Sequence, residues 1–502
     1  MKISNETACG PVYWDDDAEM GKRSENRCAT ASQRVIVGGG LAGIAAALEA
    51  SRHGERVLLL ESLTRLGGRA ASLSFRGDRA PVDAGAHLLL DACSQLRELH
   101  EELGLTRFFE RQSDVRFLLP EGRFVRFAAW PAFPGLLKFL PFLLTFPLLS
   151  FSEKAALARL IRSLVGRRDP THPEESFGDF LARNGSSERT DALFWHPITL
   201  SALVELPERV AASAIRKVIR EGLFAGRTGP HLTIPTRPLS EIYDRPVRAE
   251  LEKRGVSVRC GTRVVRLYVE NKRIVALRTA AGETISCDRL ILAIPPRPLA
   301  ALLSDSGMET VTQTLGLDRF ASGAITAVHL RFDRRLIPEI AAVLTCAPPV
   351  KSGPNKGKGK ASDVGQWLFC PRECGAFGLD FGAGTPTGPS ASGVYHQVLI
   401  SGSHRLLPPE ERRPEALVPR VIAQLQRLLP EARSASLLSS RVSTVPNAVW
   451  LPTPELFAHR PANRVALFEN LTVAGDWTDT GWPATLEGAV RSGRTAAEEI
   501  GT

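Results

Sequence analysis

The chain has 502 residues, 43% hydrophobic and 23% charged, which suits a globular protein of more than one lobe and excludes a fibrous or low-complexity class. Its net charge of +9 suits an anionic partner surface, but no zinc-ligand spacing, aromatic RNA-reading run or basic heptad accompanies it, so nucleic acid is excluded and an acidic membrane surface or a solvated basic exterior is left. Eight dispersed cysteines exclude a disulfide framework; Cys370 and Cys374 form a C-x-x-x-C with no second pair or histidine cluster, so the thiols read as structural and no metal site is expected.

Residues 1–33 are polar and lack an apolar run, so they read as a disordered extension and not a signal peptide. The expected compartment is the cytoplasm, with the inner face of the cell membrane as a peripheral site. At Arg34 the composition changes. Arg34–Val37 reads as a strand, Gly38-Gly39-Gly40-Leu41-Ala42-Gly43 matches G-x-G-x-x-G, Ile44–His53 reads as a small-residue helix, and Arg56–Leu60 reads as a second strand closing on Glu61. In that order Gly38 permits a tight turn, Gly40 lets the backbone approach a pyrophosphate, and Gly43 lets the helix pack closely on the strand. Leu41 and Ala42 complete the loop, where a helix N-terminus offers unpaired N–H groups to phosphate. Glu61 stands 23 residues after Gly38, where an acid binds ribose hydroxyls and disfavours a 2′-phosphate. NAD and FAD both remain open at this point.

The continuation separates them. Glu61-Ser62-Leu63-Thr64-Arg65-Leu66-Gly67-Gly68-Arg69 resembles the E-x-x-x-R-x-G-G-R run of the amine-oxidase and phytoene-desaturase flavoproteins. Val82-Asp83-Ala84-Gly85-Ala86-His87 resembles the D-x-G segment that runs beside the flavin ring in those families. The resemblance implies FAD. Gly67 and Gly68 would let the backbone pass close to an extended cofactor, with Arg65 in the same motif, and Arg69 would offer a cation to pyrophosphate or flavin oxygens.

Residues 130–151, WPAFPGLLKFLPFLLTFPLLSF, are long enough to resemble a membrane span, but Pro134, Pro141, Pro147 and Lys138 argue against one straight helix. Two broken helical pieces fit, either as core of a substrate domain or as an apolar lip on a bilayer that admits a hydrocarbon. Strands are expected at Val256–Val258, Thr262–Glu270, Arg273–Ala280 and Asp288–Ile294. The 351–362 stretch, KSGPNKGKGKAS, reads as a solvated loop. Near the end, Leu471–Ala474 reads as a strand leading into Gly475-Asp476, and Thr485–Ile500 as a helix with small residues along one face.

In the superfamily such a late G-D returns to the first domain. The resemblance implies that Asp476 accepts from the ribityl chain and that Thr485 and Leu486 open a helix aimed at the flavin; Val264 lies where relatives contact adenine through the backbone. The string GDWTDTGWPATLEGAVRSG, with Phe194-Trp195-His196-Pro197, Leu203–Arg209 and Arg289–Pro296, is similar to the squalene-associated FAD-dependent desaturases, the hydroxysqualene dehydroxylases, over about 34–500.

The expected fold is therefore α/β: a discontinuous Rossmann-like FAD-binding domain from 34–110, 235–300 and 465–502, and an α+β substrate domain from 111–234 and 301–464. The implied reaction removes the hydroxyl of hydroxysqualene, a C30 isoprenoid, with hydride from reduced flavin. A proton donor must assist the hydroxyl, and His87, Glu205 and His196 are the candidates. A carotenoid-type desaturase, an amine oxidase and a non-catalytic prenyl-binding protein are the alternatives. No separate nicotinamide site is legible, so the electron donor is unidentified.

Overall fold

The computed structural model describes residues 33–75, 81–130, 133, 135–224, 231–345, 363–371 and 393–499. Residues 1–32 of the expected extension, the 351–362 stretch, Pro134, Cys374 and Ile500 lie outside them.

Five short strands assemble into one parallel sheet; the central ones are runs of Val, Ile and Leu buried on both faces, while Ser257–Arg259 at one edge is partly exposed. In chain order its unit comprises β1 (Gln33–Val37), α1 (Leu41–Arg52), β2 (Arg56–Leu60), β3 (Ser257–Arg259), β4 (Arg289–Leu292), β5 (Leu471–Val473) and α2 (Leu486–Glu498). The strand order is β3-β2-β1-β4-β5, so segments from the front, middle and end of the chain lie side by side. In register, Arg34–Val37 match Arg289–Leu292, and Leu290–Leu292 match Leu471–Val473. Helix α1 is buried from Leu41 to Ala50, and its alanines leave room for α2 to pack along it.

A meander of Val264–Glu270, Arg273–Thr279 and Thr284–Ser286 follows β3. Its first turn is Asn271-Lys272, both at positive φ (46° and 59°), the two-residue turn whose twist matches antiparallel strands. A second sheet of seven strands runs in the order Leu437–Trp450, Ser322–Phe332, Val394–Ser401, Trp367–Phe369, Ala341–Leu344, Val115–Leu118, Phe124–Phe127. It is mostly antiparallel. Helices between 140 and 224 cover one face of it, around a core rich in Phe: Phe117, Phe127, Phe142, Phe146, Phe180 and Phe194 are each at most 4% exposed.

Several element ends differ from the sequence reading. The first helix begins at Leu41 and not Ile44, because the glycine loop itself bends into the helix. The last begins at Leu486, with Thr485 as its cap, and β4 spans only Arg289–Leu292. Within 130–151, a short 3-10 turn (Gly135–Phe139) meets a helix at Leu140–Thr145; Pro141 sits in its first turn, where its missing N–H costs nothing. The stretch has a buried side and an exposed side. Phe139, Phe142, Phe146 and Leu149 are core, while Trp130, Phe133, Leu137, Leu140, Leu144 and Phe151 are exposed, Phe151 to 83%. Among the described residues no helix is long and apolar enough to cross a membrane.

Candidate active site

The glycine loop is dictated by close approach. Gly38 has φ +111°, and a Cβ there would stand 2.3 Å from the Ala293 carbonyl oxygen. A Cβ on Gly43 would lie 1.8 Å from the Gly38 oxygen, so the helix meets its own loop without space for a side chain. Gly40 is different: its nearest non-neighbour is Gly68 Cα at 3.9 Å, which leaves room beside the start of α1. Among the described residues no side chain caps the first turn of α1 and no acid sits in it, so its N–H groups and positive dipole end suit an anion. Leu41 and Ala42 form that first turn, both buried.

Gly67-Gly68, both at positive φ, fold onto the loop: the Gly67 N–H donates to Gly39 O (2.8 Å), and Gly40 and Gly67 pair as a bridge. Arg65 braces this turn through Leu66 O (3.1 Å) and Gly68 O (3.4 Å). Glu61, 6% exposed, accepts from the N–H of Gly39 (2.6 Å) and of Leu63 (2.7 Å). Its own carbonyl accepts from Thr262 N–H (2.8 Å), and Val264, 9% exposed, opens the next strand two residues later. The structure thus gathers Gly38–Gly43, Glu61, Arg65, Gly67 and Gly68 at the C-terminal ends of β1 and β2.

The chain's end joins them. Arg69 Nη2 donates to Asp476 Oδ1 at 2.6 Å across 407 residues of sequence. Helix α2 lies on α1 so closely that a Cβ on Gly493 would fall 2.1 Å from Ala42 O. Ser492, also on α2, accepts from Gly475 N–H (2.9 Å) and Asn463 Nδ2 (2.8 Å). Thr485 Oγ1 accepts from Gly488 N–H (3.1 Å), which fixes where α2 begins, and Leu486 is its first residue. Trp477 is fully buried, its Nε1 donating to Ile294 O (3.2 Å); a Cβ on Gly475 would collide with that ring at 2.3 Å. Arg460 holds the following loop by donating to Thr478 O (3.0 Å) and Trp482 O (2.6 Å). Burial pushes its guanidinium down to about 10 even with Asp479 and Asp476 near. Ser492 and Arg460 escaped the sequence reading, because a serine in a helix and an arginine in a loop carry no motif.

The three catalytic candidates occupy unlike settings. His87 is partly accessible, and its Nδ1 lies 2.9 Å from Gly85 O, so Nδ1 carries the hydrogen and Nε2 the lone pair. Burial lowers its pKa against the opposing pull of that bond, so the ring is neutral near pH 7. Glu205 is 1% exposed and ion-paired with Arg405 (3.0 Å). Burial pushes its carboxyl up, but His404, the Leu206 N–H and Arg405 together outweigh it and hold the pKa below the ordinary value. An ionised, paired carboxylate is a poor proton donor and a sound structural anchor. His196 opens the helix His196–Leu203, half-buried, near Asp191. A further acid, Asp83, belongs to the D-x-G motif. Its Oδ1 accepts from Leu239 N–H (2.8 Å) and Ser72 Oγ (2.7 Å), yet burial pushes the carboxyl up to about 7.

The uncapped helix start, the open space at Gly40 and the acid at the end of β2 fit the phosphates and ribose of a dinucleotide. The profile of the family "Flavin containing amine oxidoreductase" matches residues 41–501. A hydroxysqualene dehydroxylase of Rhodopseudomonas palustris is 29% identical over 93% of this chain and 97% of its own. A chloroplastic/chromoplastic 15-cis-phytoene desaturase of Arabidopsis thaliana is 24% identical over 95% of this chain and 81% of its own. An oxidoreductase structure from Methanosarcina mazei superposes with a TM-score of 0.64 at 18% identity, over 93% of this chain and all of that one. The chain belongs to the flavin-containing amine oxidoreductases, and FAD is its cofactor.

Proposed function

We propose that this enzyme removes the hydroxyl group of hydroxysqualene reductively, giving squalene. The observation that carries this reading is the near full-length relationship to proteins named hydroxysqualene dehydroxylase. The exposed Trp130, Phe133, Leu137, Leu140, Leu144 and Phe151, on a protein of net charge +9, support docking on an anionic membrane where such a substrate dissolves.

In this reading Gly38, Gly40, Leu41, Ala42 and Gly43 hold the pyrophosphate of FAD, Glu61 the ribose and Val264 the adenine. Arg65, Gly67, Gly68 and Arg69 line its length; Gly475, Asp476, Thr485 and Leu486 hold the riboflavin half. Bound FAD, once reduced, supplies the hydride. The chain must supply a proton to the departing oxygen, because hydroxide leaves poorly. His87 Nε2 is the atom we assign to it. With the Nδ1 hydrogen committed to Gly85 O, the proton delivered is the one on Nε2 of the protonated fraction; its transfer lets the hydroxyl leave as water and leaves the ring neutral. The neutral ring also favours a second reading, in which Nε2 serves as the base of a phytoene-type desaturation.

Anaerobic incubation of the photoreduced enzyme with hydroxysqualene, and of the oxidised enzyme with phytoene, separates the two by product. Squalene with stoichiometric flavin oxidation is expected in the first. Its absence, with a desaturated product in the second, would overturn the assignment.

A further inference from the structure

Three neighbouring strands of the large sheet carry buried polar side chains that the proposed chemistry leaves unused: His329 (0% exposed), Tyr395 (6%), Gln397 (2%) and Ser443 (6%). They form one network. His329 lies across from Gln397 in the ladder; its Nδ1 bonds Tyr395 OH (2.7 Å) and its Nε2 bonds Ser443 Oγ (2.8 Å). Buried polar groups are tolerated when every member is satisfied, and removal of one leaves the others exposed to the full cost of desolvation.

The network points at one short piece of backbone. Gln397 Nε2 donates to Asp83 O (3.0 Å), and Gln397 Oε1 accepts the Ala86 N–H (2.7 Å). Ser443 Oγ donates to Ala84 O (3.3 Å). Gly85 lies flat on the sheet, where a Cβ would stand 3.1 Å from Leu399 Cδ1, and its carbonyl accepts from His87 Nδ1. Irregular backbone at a sheet face needs partners that no ladder provides, and here side chains of the seven-stranded sheet provide them.

We propose that Gln397 is a positioning residue: by binding Asp83 O and Ala86 N–H with one amide, it fixes the backbone that presents His87. Gln397 Nε2 also lies 3.3 Å from Tyr395 OH and 3.4 Å from His329 Nδ1, so the His329–Tyr395–Ser443 chain fixes the orientation of that amide. This rests on the reading of His87 as the proton-transferring residue.

The test is Gln397→Met in the FAD-loaded enzyme, which keeps volume and removes both bonds. Amide exchange in the segment 82–90 is expected to accelerate about tenfold to a hundredfold, as for loss of a buried hydrogen bond. kcat should fall by a similar factor with KM within about threefold, and the pH midpoint of kcat should move, a response that loss of packing alone does not give. Unchanged exchange in 82–90 overturns the proposal, and so does accelerated exchange with unaltered kcat and pH midpoint. Should Gln397→Met fail to fold, Ser443→Ala removes the Ala84 tie and the partner of His329 Nε2 while leaving both Gln397 bonds, and unchanged exchange there counts equally against it. If the wild type does not convert hydroxysqualene, the proposed function fails. The exchange result, with the visible circular dichroism of bound FAD, then still decides the clamp.

Discussion

Gly493→Ala probes the contact that brings the two ends of the chain together. The added Cβ would stand 2.1 Å from Ala42 O, against the 3.4 Å at which ordinary contact begins, so α2 must retreat by 1.3 Å. The Ala45 Cβ at 3.0 Å blocks a sideways escape. Overpacking of this kind costs about 3 kcal/mol when the obstacle is backbone, and alanine returns about 1 kcal/mol in helix propensity, for a net loss of about 2 kcal/mol. If FAD binds only with α2 seated, that cost reappears in its affinity, and Kd rises about 30-fold. Titration of the apoprotein with FAD by fluorescence quenching measures this. Gly54→Ala is the control: its φ is +71° with nothing within 4 Å, so it costs about 1 kcal/mol of left-handed strain without touching the cofactor's surroundings. A Gly493→Ala protein that binds FAD as tightly as the wild type would refute the reasoning.

The pH dependence of kcat distinguishes the two roles of His87. Its pKa is lowered by burial, so as an acid it acts through a protonated fraction that shrinks tenfold per pH unit above that pKa, and dehydroxylation should slow from pH 7 to 8.5; a rate that climbs with pH identifies a base instead. Stability should move the other way at lower pH. Burial pushes His100, His329 and His396 down to about 4, 3 and 4, so between pH 4.5 and 6.5 the unfolded chain binds more protons and the urea midpoint should rise with pH. Asp83, pushed up to about 7, opposes this as a single group against three, and a midpoint that falls across the window would contradict the assignment. Replacing Leu137, Leu144 and Phe151 together by serine removes three exposed apolar side chains and, at about 1 kcal/mol each, should weaken sedimentation with phosphatidylglycerol vesicles by about a hundredfold while FAD content is retained. Undiminished vesicle binding would remove the patch from the membrane reading.

Much of the fold was legible because its causes are local. The run Arg34-Val35-Ile36-Val37 is a strand in any setting that buries it, and Gly38, Gly40 and Gly43 are glycines because backbone atoms stand where side chains would be. The same holds for Gly67 and Gly68 and for strand β5 ahead of Gly475. Other features depend on which distant residue arrives opposite. Arg69 meets Asp476 over 407 positions, Gly493 meets Ala42, and Gln397 meets Asp83 and Ala86, none of which a periodicity or spacing contains. Residues 130–151 announced their apolarity but not which of them face outward, since their period breaks at each proline. Charge states were equally hidden: Glu205 is ionised because Arg405 and His404 come to it, and His87 is neutral because burial outweighs the opposing pull of Gly85 O. By itself the sequence determined the elements, their apolar faces and the glycine positions, which follow from short-range sterics and hydrophobic pattern. The tertiary structure alone decided which groups are desolvated and which partners they find, because burial and long-range contact exist only once the chain has folded.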